Sequence, residues 1–364
     1  MKLSAILMTL FVGVLSLAAN AQQTKLLTAD KHNEYGLVYS LPTTALDIEV
    51  EVLHTVKKAG PYGKYAKKYL GISEVIDSNS EKWEVKSVRV TRRGVANLEE
   101  QYLMQFKAGV LVSICVAEDG KLLAVNSTAQ VPSQTEIETV AMLPSSLDNN
   151  EYLQYVDEDF LVSQSSAKRA QMLAENIMEV RNAKIALSRG TAESMPTDGK
   201  QLELMLASLA HQEQTMTEAF VGTVQTETQV KKFTFTPSGD KNSDRQVLLR
   251  LSDFAGFVDA DDYSGDPIYI SVDVTRRGQM PVNEKGDEKK MPKDAVVYNI
   301  PGAAKVKLST MTKTLFEQEM DFSQFGTKFG LNPSIFSAKK DPSYAIFDPI
   351  TGALVEVGTV ETEE

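Results

Sequence analysis

The chain has 364 residues, a hydrophobic fraction of 42% and a formal net charge of −11 at pH 7. This length and composition are typical of a soluble globular protein with enough residues for two ordinary domains. Because an acidic chain repels nucleic-acid phosphates and anionic lipid headgroups, the charge argues against both as partners.

The first 21 residues have the three-part pattern of a secretory signal peptide. Lys2 gives a basic start, residues 3–19 are almost wholly apolar, and Ala19-Asn20-Ala21 is the small-x-small pattern that signal peptidase cuts. Cleavage after Ala21 removes 21 of the 364 residues and leaves a mature chain of 343 residues with a net charge of −12. No later segment is apolar enough to span a membrane as a helix, so we expect an exported protein without a transmembrane segment.

Residues 37–132 carry the alternating pattern of β-strands. Residues 46–52 place an apolar side chain at every second position, and residues 83–90 alternate in the same way. Glu118-Asp119-Gly120 lies between two apolar runs and predicts a hairpin turn. We therefore predict an N-terminal β-rich module over residues 37–132.

Cys115 is the only cysteine, so no intramolecular disulfide can form. Its position within the apolar run 110–116 predicts a small buried residue of a strand, which is how free cysteine usually behaves. No cysteine follows the predicted cleavage site, so we expect no lipid anchor at the mature N-terminus.

The middle of the chain has a helical pattern. Residues 163–187 contain no glycine or proline, and their apolar side chains fall on one helical stripe. Gly190 and Pro196 end this helix, and Asp198, with a glutamine three residues later, predicts a capping pair at the start of a second one. We predict an antiparallel helical hairpin over residues 163–220.

From residue 221 the strand pattern returns, and the segment 344–357 predicts two strands around the turn Asp348-Pro-Ile-Thr-Gly352. We predict a C-terminal β-rich module over residues 221–357. The expected fold is α+β, with two β-rich modules, sandwich or half-barrel-like, joined by a long helical hairpin.

Two short strings recur in the β-rich regions. Val90-Thr-Arg-Arg-Gly94 is repeated unchanged at residues 274–278, and Val38-Tyr-Ser-Leu-Pro42 is echoed by Val297-Tyr-Asn-Ile-Pro301. The two pairs occur in opposite order along the chain, so a simple tandem duplication does not explain both. They mark either similar strand ends in two related modules or a coincidence.

The sequence offers no catalytic residue. Its three histidines, His32, His54 and His211, have no metal-ligand spacing, and an HExxH pattern is absent. The nucleophile elbow, the Walker A loop and the strand-linked dinucleotide fingerprint are also absent. Zinc sites, histidine-assisted serine or cysteine catalysis and phosphoryl transfer are therefore unsupported.

Calcium is the one cofactor for which the sequence offers a candidate, in the acidic loop with Asp259, Asp261 and Asp266. The loop departs from a calcium loop because Tyr263 lies where a third oxygen ligand belongs and Ile270 replaces the closing glutamate. Solvated Asp/Gly turns are more common than ion sites, so that interpretation is favoured.

Tyr62, Tyr65 and Tyr69 share one face of a predicted short helix that ends at Gly71. Tyrosines can stack on sugars or peptides and donate hydrogen bonds, so this face is a candidate binding surface. The more common role of such a stripe is to dock a helix against its neighbours.

The adjacent arginines Arg92 and Arg93, and again Arg276 and Arg277, are candidates for holding an anionic partner, because guanidinium groups bind carboxylates and phosphates in a bidentate manner. The competing interpretation is that they lie at solvated strand ends and form local ion pairs.

Several of these strings together resemble an uncharacterised family of exported proteins, a domain of unknown function typical of Bacteroidetes-type Gram-negative bacteria. The strings that carry the resemblance are Tyr39-Ser-Leu-Pro42, Gly60-Pro61, Tyr65-Ala66, Tyr69-Leu-Gly71, Tyr298-Asn-Ile-Pro301, Gln324-Phe-Gly326 and Phe347-Asp-Pro-Ile-Thr-Gly352. The resemblance implies a location in the periplasm or on the outer surface, and it implies no known catalytic residue.

We expect a non-catalytic binding or assembly module whose partner is an envelope protein or a glycan. The alternative is a hydrolase of glycans or peptides that uses a pair of carboxylates, from the acidic loop or from residues 157–159. A third interpretation is a structural protein stiffened by calcium.

Overall fold

The architecture comes from a computed structural model that describes residues 23–26, 36–105, 112–129, 150–239, 243–338 and 341–360. The predicted signal peptide of residues 1–21 lies outside the described residues. Within them, the sheets are antiparallel and the long helices lie together between the two strand-rich stretches, which confirms the predicted α+β class and its β-rich regions.

Thirteen strands lie in the described part of the chain. The alternation predicted for residues 46–52 is confirmed, because the four apolar side chains of this segment are fully buried on one face. In chain order the strands are β1 (Gln23–Leu26), β2 (Leu37–Lys58), β3 (Ser80–Gln105), β4 (Ile114–Val116), β5 (Leu122–Val125), β6 (Thr223–Phe235), β7 (Ser243–Ser252), β8 (Gly256–Val258), β9 (Asp266–Arg276), β10 (Val296–Ser309), β11 (Thr314–Leu331), β12 (Ser343–Phe347) and β13 (Leu354–Thr359).

The α-helices of the described residues are α1 (Gly63–Leu70), α2 (Glu158–Val162), α3 (Ser166–Arg189) and α4 (Gly199–Val221). The Ser165 hydroxyl caps the start of α3 by accepting a hydrogen bond from the Lys168 amide, and Gly190 ends this helix in the left-handed conformation, with φ of 69°. Asp198 is the N-cap residue of α4, but the predicted capping pair is wrong because its side chain makes no capping hydrogen bond.

Two sheets pack face to face as a β-sandwich. Sheet 1 has the strand order β1-β3-β2-β6, and sheet 2 has the order β11-β10-β9-β7-β8. Apolar side chains from both inner faces form the sandwich core, and removing them from water stabilises the fold. The buried members are Leu46, Ile48, Val50, Val52, Trp83, Val90, Leu249, Leu251, Ile268, Ile270, Val272, Ala304, Val306, Leu308, Met320, Phe322 and Phe325.

Sheet 3, with the order β13-β12-β5-β4, covers one end of the sandwich. Its apolar side chains form a second core with the adjoining ends of β2, β3, β10 and β11. Within this core, the Tyr39 hydroxyl accepts a hydrogen bond of 2.9 Å from the Val297 amide. Cys115 lies in β4, so its place in a strand is confirmed, but its side chain is half-buried and not buried as predicted.

The β-rich segments before and after the helices share two of the three sheets. β6 pairs with β2 in sheet 1, and β12 pairs with β5 in sheet 3. β2 has β3 on one edge, and its other edge would leave amide and carbonyl groups unpaired without β6. The chain therefore returns after the helices to complete sheets that the N-terminal segment begins.

The helices form a separate cluster in which α3 and α4 run antiparallel. Glu213 on α4 accepts hydrogen bonds from Arg181 (2.6 Å) and Lys184 (2.8 Å) on α3, and both helices share an apolar core with α1. The sequence predicts an apolar stripe on α4 that runs from Leu202 to Phe220, but only its last turns are buried, at Met216 and Phe220, since Met205 near the start of the helix is 38% exposed. The buried members are Tyr62, Ala66, Tyr152, Phe160, Ala170, Leu173, Ala174, Ile177, Met216, Ala219 and Phe220.

Candidate functional site

A cleft of about 450 Å³ opens where β3 of sheet 1 faces β9, β10 and β11 of sheet 2. This volume lies in the usual range for small-molecule sites, and charged and apolar side chains both line it. We call it the arginine cleft, and its lining residues are Val90, Thr91, Arg92, Arg276, Ala303, Gln318, Glu319, Met320, Asp321 and Ile350.

Strand alternation places Arg92 in this cleft. Val90 is buried in the sandwich core, and side chains two positions apart on a strand share a face. Arg92 therefore reaches toward sheet 2, where its Nη1 donates a hydrogen bond of 3.0 Å to the main-chain oxygen of Asp321.

Arg276 reaches the same spot from β9, where its Nη2 donates a hydrogen bond of 3.2 Å to Oδ1 of Asp321. Arg92 and Arg276 thus contact one residue although they come from different sheets. The structure therefore brings together one arginine from each of the recurring strings.

The second arginine of each pair has a local partner outside the cleft. Arg93 forms a bidentate ion pair with Asp47, with distances of 2.7 and 3.1 Å. Its hydrogen bonds hold the pKa of the Asp47 carboxyl below its usual value. Arg277 donates a hydrogen bond of 3.2 Å to the main-chain oxygen of Gly239. Neither Arg93 nor Arg277 lines the arginine cleft.

Two carboxylates accompany the two guanidinium groups in the cleft. Asp321 accepts from Arg276, and Oε1 of Glu319 accepts a hydrogen bond of 2.5 Å from the Thr275 hydroxyl. In the part of the chain that the structure describes, no carboxylate lies within ion-pair distance of Arg92. The four charged groups sum to a formal charge of zero, so the cleft presents both signs of charge to a ligand.

A close approach of two main-chain segments builds one wall of the cleft. A Cβ atom at Gly94 would lie 2.1 Å from the carbonyl oxygen of Pro349, so only glycine lets β3 lie this close to the turn before β13. This contact brings Ile350 to the wall of the cleft. The Lys121 ammonium donates a hydrogen bond of 2.5 Å to the Gly94 oxygen and so holds this part of the strand in place.

The sequence identified the arginines of this site but not Glu319, Asp321 or Ile350. The two acidic residues lie on β11 at alternate positions, which in a sequence resembles an ordinary solvent-facing pattern. Ile350 belongs to the Asp348–Gly352 turn, for which the sequence predicts a turn and no role in a site.

The predicted tyrosine face lies in the helical cluster, away from the arginine cleft. Tyr62 is buried and contacts the rings of Tyr152, Phe160 and Phe220. Tyr65 and Tyr69 are half-buried, and the Tyr69 hydroxyl donates a hydrogen bond of 3.4 Å to the Ala167 oxygen of α3. The three rings thus pack α1 against its neighbouring helices.

In the acidic loop, a guanidinium contacts the oxygen atoms of the turn. Arg250 donates hydrogen bonds to the main-chain oxygens of Ala260 (2.8 Å) and Gly265 (3.0 Å). No group of three His, Cys, Asp or Glu side chains in the described ranges is placed to hold a metal ion, and Asp259, Asp261 and Asp266 are within those ranges.

A larger crevice of about 700 Å³ lies between α4 and the start of β6. Each charged group that lines it already has a partner: Arg181 donates to Glu213, which also accepts from Lys184, and Glu218 accepts a hydrogen bond from Gln214. The hydrogen bond from Lys184 has the largest effect on the pKa of Glu213, followed by that from Arg181, and together they hold this pKa below its usual value. We therefore assign the candidate site to the smaller arginine cleft, where Arg92 lacks such a partner in the described residues.

Comparisons with known proteins give a family and no activity. No curated protein matches the chain, and no solved structure matches it. In the described ranges, no helix combines the length and apolar character needed to cross a membrane. The family model of DUF4831, a domain of unknown function, matches residues 35–355, which is most of the chain, so this protein belongs to the DUF4831 family.

Proposed function

We propose that this protein is a non-catalytic binding module of the cell envelope and that it holds a negatively charged group of its ligand or partner in the arginine cleft. The observation that carries this proposal is the meeting of Arg92 and Arg276, from opposite sheets, at one residue in a cleft.

The geometry of Arg92 favours an anion. A guanidinium has five N–H donors, and within the described residues Arg92 uses one of them, to the Asp321 oxygen. Arg276 forms an exposed ion pair with Asp321, and exposed pairs of this kind contribute only about 0–1 kcal/mol. Both groups can therefore turn to a carboxylate or phosphate at little cost.

The cellular location in this proposal rests on the sequence. Residues 1–21 have the pattern of a signal peptide, and the resemblance to an exported family of Bacteroidetes-type bacteria supports the periplasm or the outer surface. The predicted alternative, a carboxylate-based hydrolase, has no observation in its favour. The two carboxylates of the cleft are held by Thr275 and Arg276, which suits counter-ions better than an acid–base pair.

The experiment is photo-crosslinking in intact cells that make the protein naturally. A photoreactive amino acid replaces Gln318, which is exposed and lines the cleft, and the mass of the purified protein is measured by mass spectrometry. We expect an adduct of defined mass, which an Arg92→Gln/Arg276→Gln variant loses.

An Arg89→Gln/Arg277→Gln variant is the matched control, because it removes the same charge from β3 and from the end of β9 without touching the cleft. We expect this control to keep the adduct. A protein without an adduct at position 318, or an adduct that survives loss of the cleft arginines, would refute the proposed function.

A further inference from the structure

The charges of the arginine cleft also constrain the rest of the ligand. Arg92 and Arg276 lie beside Glu319 and Asp321, so a ligand with negative charge alone meets two carboxylates that repel it. A ligand that also carries a positive charge can form favourable electrostatic interactions with all four groups.

The carboxylates have capacity for such a group. A carboxylate accepts hydrogen bonds at both oxygens. In the described part of the chain, Asp321 accepts a side-chain hydrogen bond at Oδ1 and Glu319 at Oε1, which leaves Oδ2 and Oε2 open to a ligand. An ammonium group bound there would form charge-assisted hydrogen bonds, which are the stronger kind.

The cleft also has an apolar part. Ala303, which lies between Arg276 and Asp321 in the register of sheet 2, and Ile350 line the cleft, and its volume of about 450 Å³ suits a small molecule or a single exposed residue more than a polymer chain. A ligand that fits has one carboxylate, one ammonium and a compact apolar body.

Resting on the proposed function, we infer that the arginine cleft binds a zwitterionic α-amino-acid group. Its carboxylate contacts Arg92 and Arg276, its ammonium contacts Asp321 and Glu319, and its side chain lies against Ala303 and Ile350. Asp321 then acts in two ways, since it repels simple anions and attracts the zwitterion.

The test compares two probes that differ by the ammonium group. Phenylalanine and 3-phenylpropanoate have the same carboxylate and the same apolar body, and their binding to the purified full protein is measured by isothermal titration calorimetry. We expect phenylalanine to bind about tenfold more tightly, which corresponds to one charge-assisted hydrogen bond.

The Asp321→Asn variant should change the affinities of the two probes in opposite directions. It should weaken the binding of phenylalanine by about tenfold and tighten that of 3-phenylpropanoate, because it removes an attraction for one and a repulsion for the other. Asp273→Asn removes the same charge from an exposed position outside the cleft, and we expect it to leave both affinities unchanged.

The outcomes separate the inference from the proposed function. If 3-phenylpropanoate binds as tightly as phenylalanine and both need Arg92, the site takes anions, so the inference is wrong and the proposed function stands. If Asp321→Asn shifts both affinities in the same direction, the inference is also wrong. If neither probe binds the wild-type protein, the inference is refuted, and only the crosslinking result then decides the proposed function.

Discussion

Replacing Gly94 by alanine should destabilise the whole fold through one contact. The new Cβ would lie 2.1 Å from the Pro349 oxygen, whereas ordinary contacts begin at about 3.5 Å, so the strand and the turn must separate by more than 1 Å. Two hydrogen bonds hold the turn in place. The Thr351 hydroxyl donates to the Asp348 carboxylate (2.5 Å), and the main-chain oxygen of Thr351 accepts from the Asn299 amide group (2.8 Å). We expect Gly94→Ala to lower the free energy of unfolding by about 1–3 kcal/mol, the usual cost of overpacking.

Urea unfolding followed by the fluorescence of Trp83 measures this change. Trp83 is the only tryptophan and lies buried in the sandwich core, so its signal reports the opening of that core. Gly199→Ala is the matched control, since nothing lies within 4 Å of a Cβ at this helical position, and it should leave stability unchanged or raise it by up to about 1 kcal/mol. Equal unfolding midpoints for Gly94→Ala and the wild type would refute the close-approach argument.

Two further predictions concern stability. The Arg93 hydrogen bonds lower the folded-state pKa of Asp47, so this pair stabilises the fold above the ordinary carboxyl pKa of about 4 and stops doing so as pH falls through the lowered value. Arg93→Gln should therefore lose less stability than the wild type when unfolding midpoints are followed from pH 6 to pH 3, and parallel curves would contradict this. Phe220 is fully buried in the helical cluster, so Phe220→Ala should cost about 3–5 kcal/mol in thermal unfolding, whereas Leu204→Ala, at a side chain 64% exposed, should cost less than about 0.5 kcal/mol. Similar losses for both variants would show that the start of α4 is covered.

Local structure could be predicted from the sequence because its signals are local. The alternation of residues 46–52, the helix that Gly190 ends and the turn that starts at Asp348 each depend on a few neighbouring residues, and each is confirmed. The partners of the strands could not be predicted in this way. β6 pairs with a strand about 180 residues earlier in the chain, and its alternating pattern does not say which edge it completes.

For a related reason, only part of the candidate site could be predicted from the sequence. Repetition drew attention to the arginine pairs, but it did not show that Arg92 enters the cleft while Arg93 binds Asp47. Which residue of a pair faces inward depends on register, and β-bulges change the register of both hairpins, for example between Glu51 and Val52. Such shifts follow from packing across the sandwich, which no short stretch of sequence encodes.

The structure also explains why the two recurring strings occur in opposite order. In each sheet the strand with the Tyr-x-x-Pro string pairs with the strand that carries Val-Thr-Arg-Arg, as β2 with β3 and β10 with β9. The first hairpin begins with the Tyr-x-x-Pro strand and the second ends with it, so the order along the chain reverses while the pairing stays the same.

The registers of the two pairs nevertheless differ. Arg92 lies opposite Leu46, four residues after Pro42, whereas Arg276 lies opposite Ala303, two residues after Pro301. Copies of one ancestral hairpin would keep a common register, because a shift changes the partner of every side chain. Similar structural requirements explain the identical residues better. Gly94 and Gly278 each lie so close to a carbonyl oxygen that a Cβ atom would be 2.1 Å from it. The first arginine of each string also forms a hydrogen bond with Asp321. The contacts that both arginines make with Asp321, together with the close approach at each glycine, account for the recurrence without requiring duplicated modules.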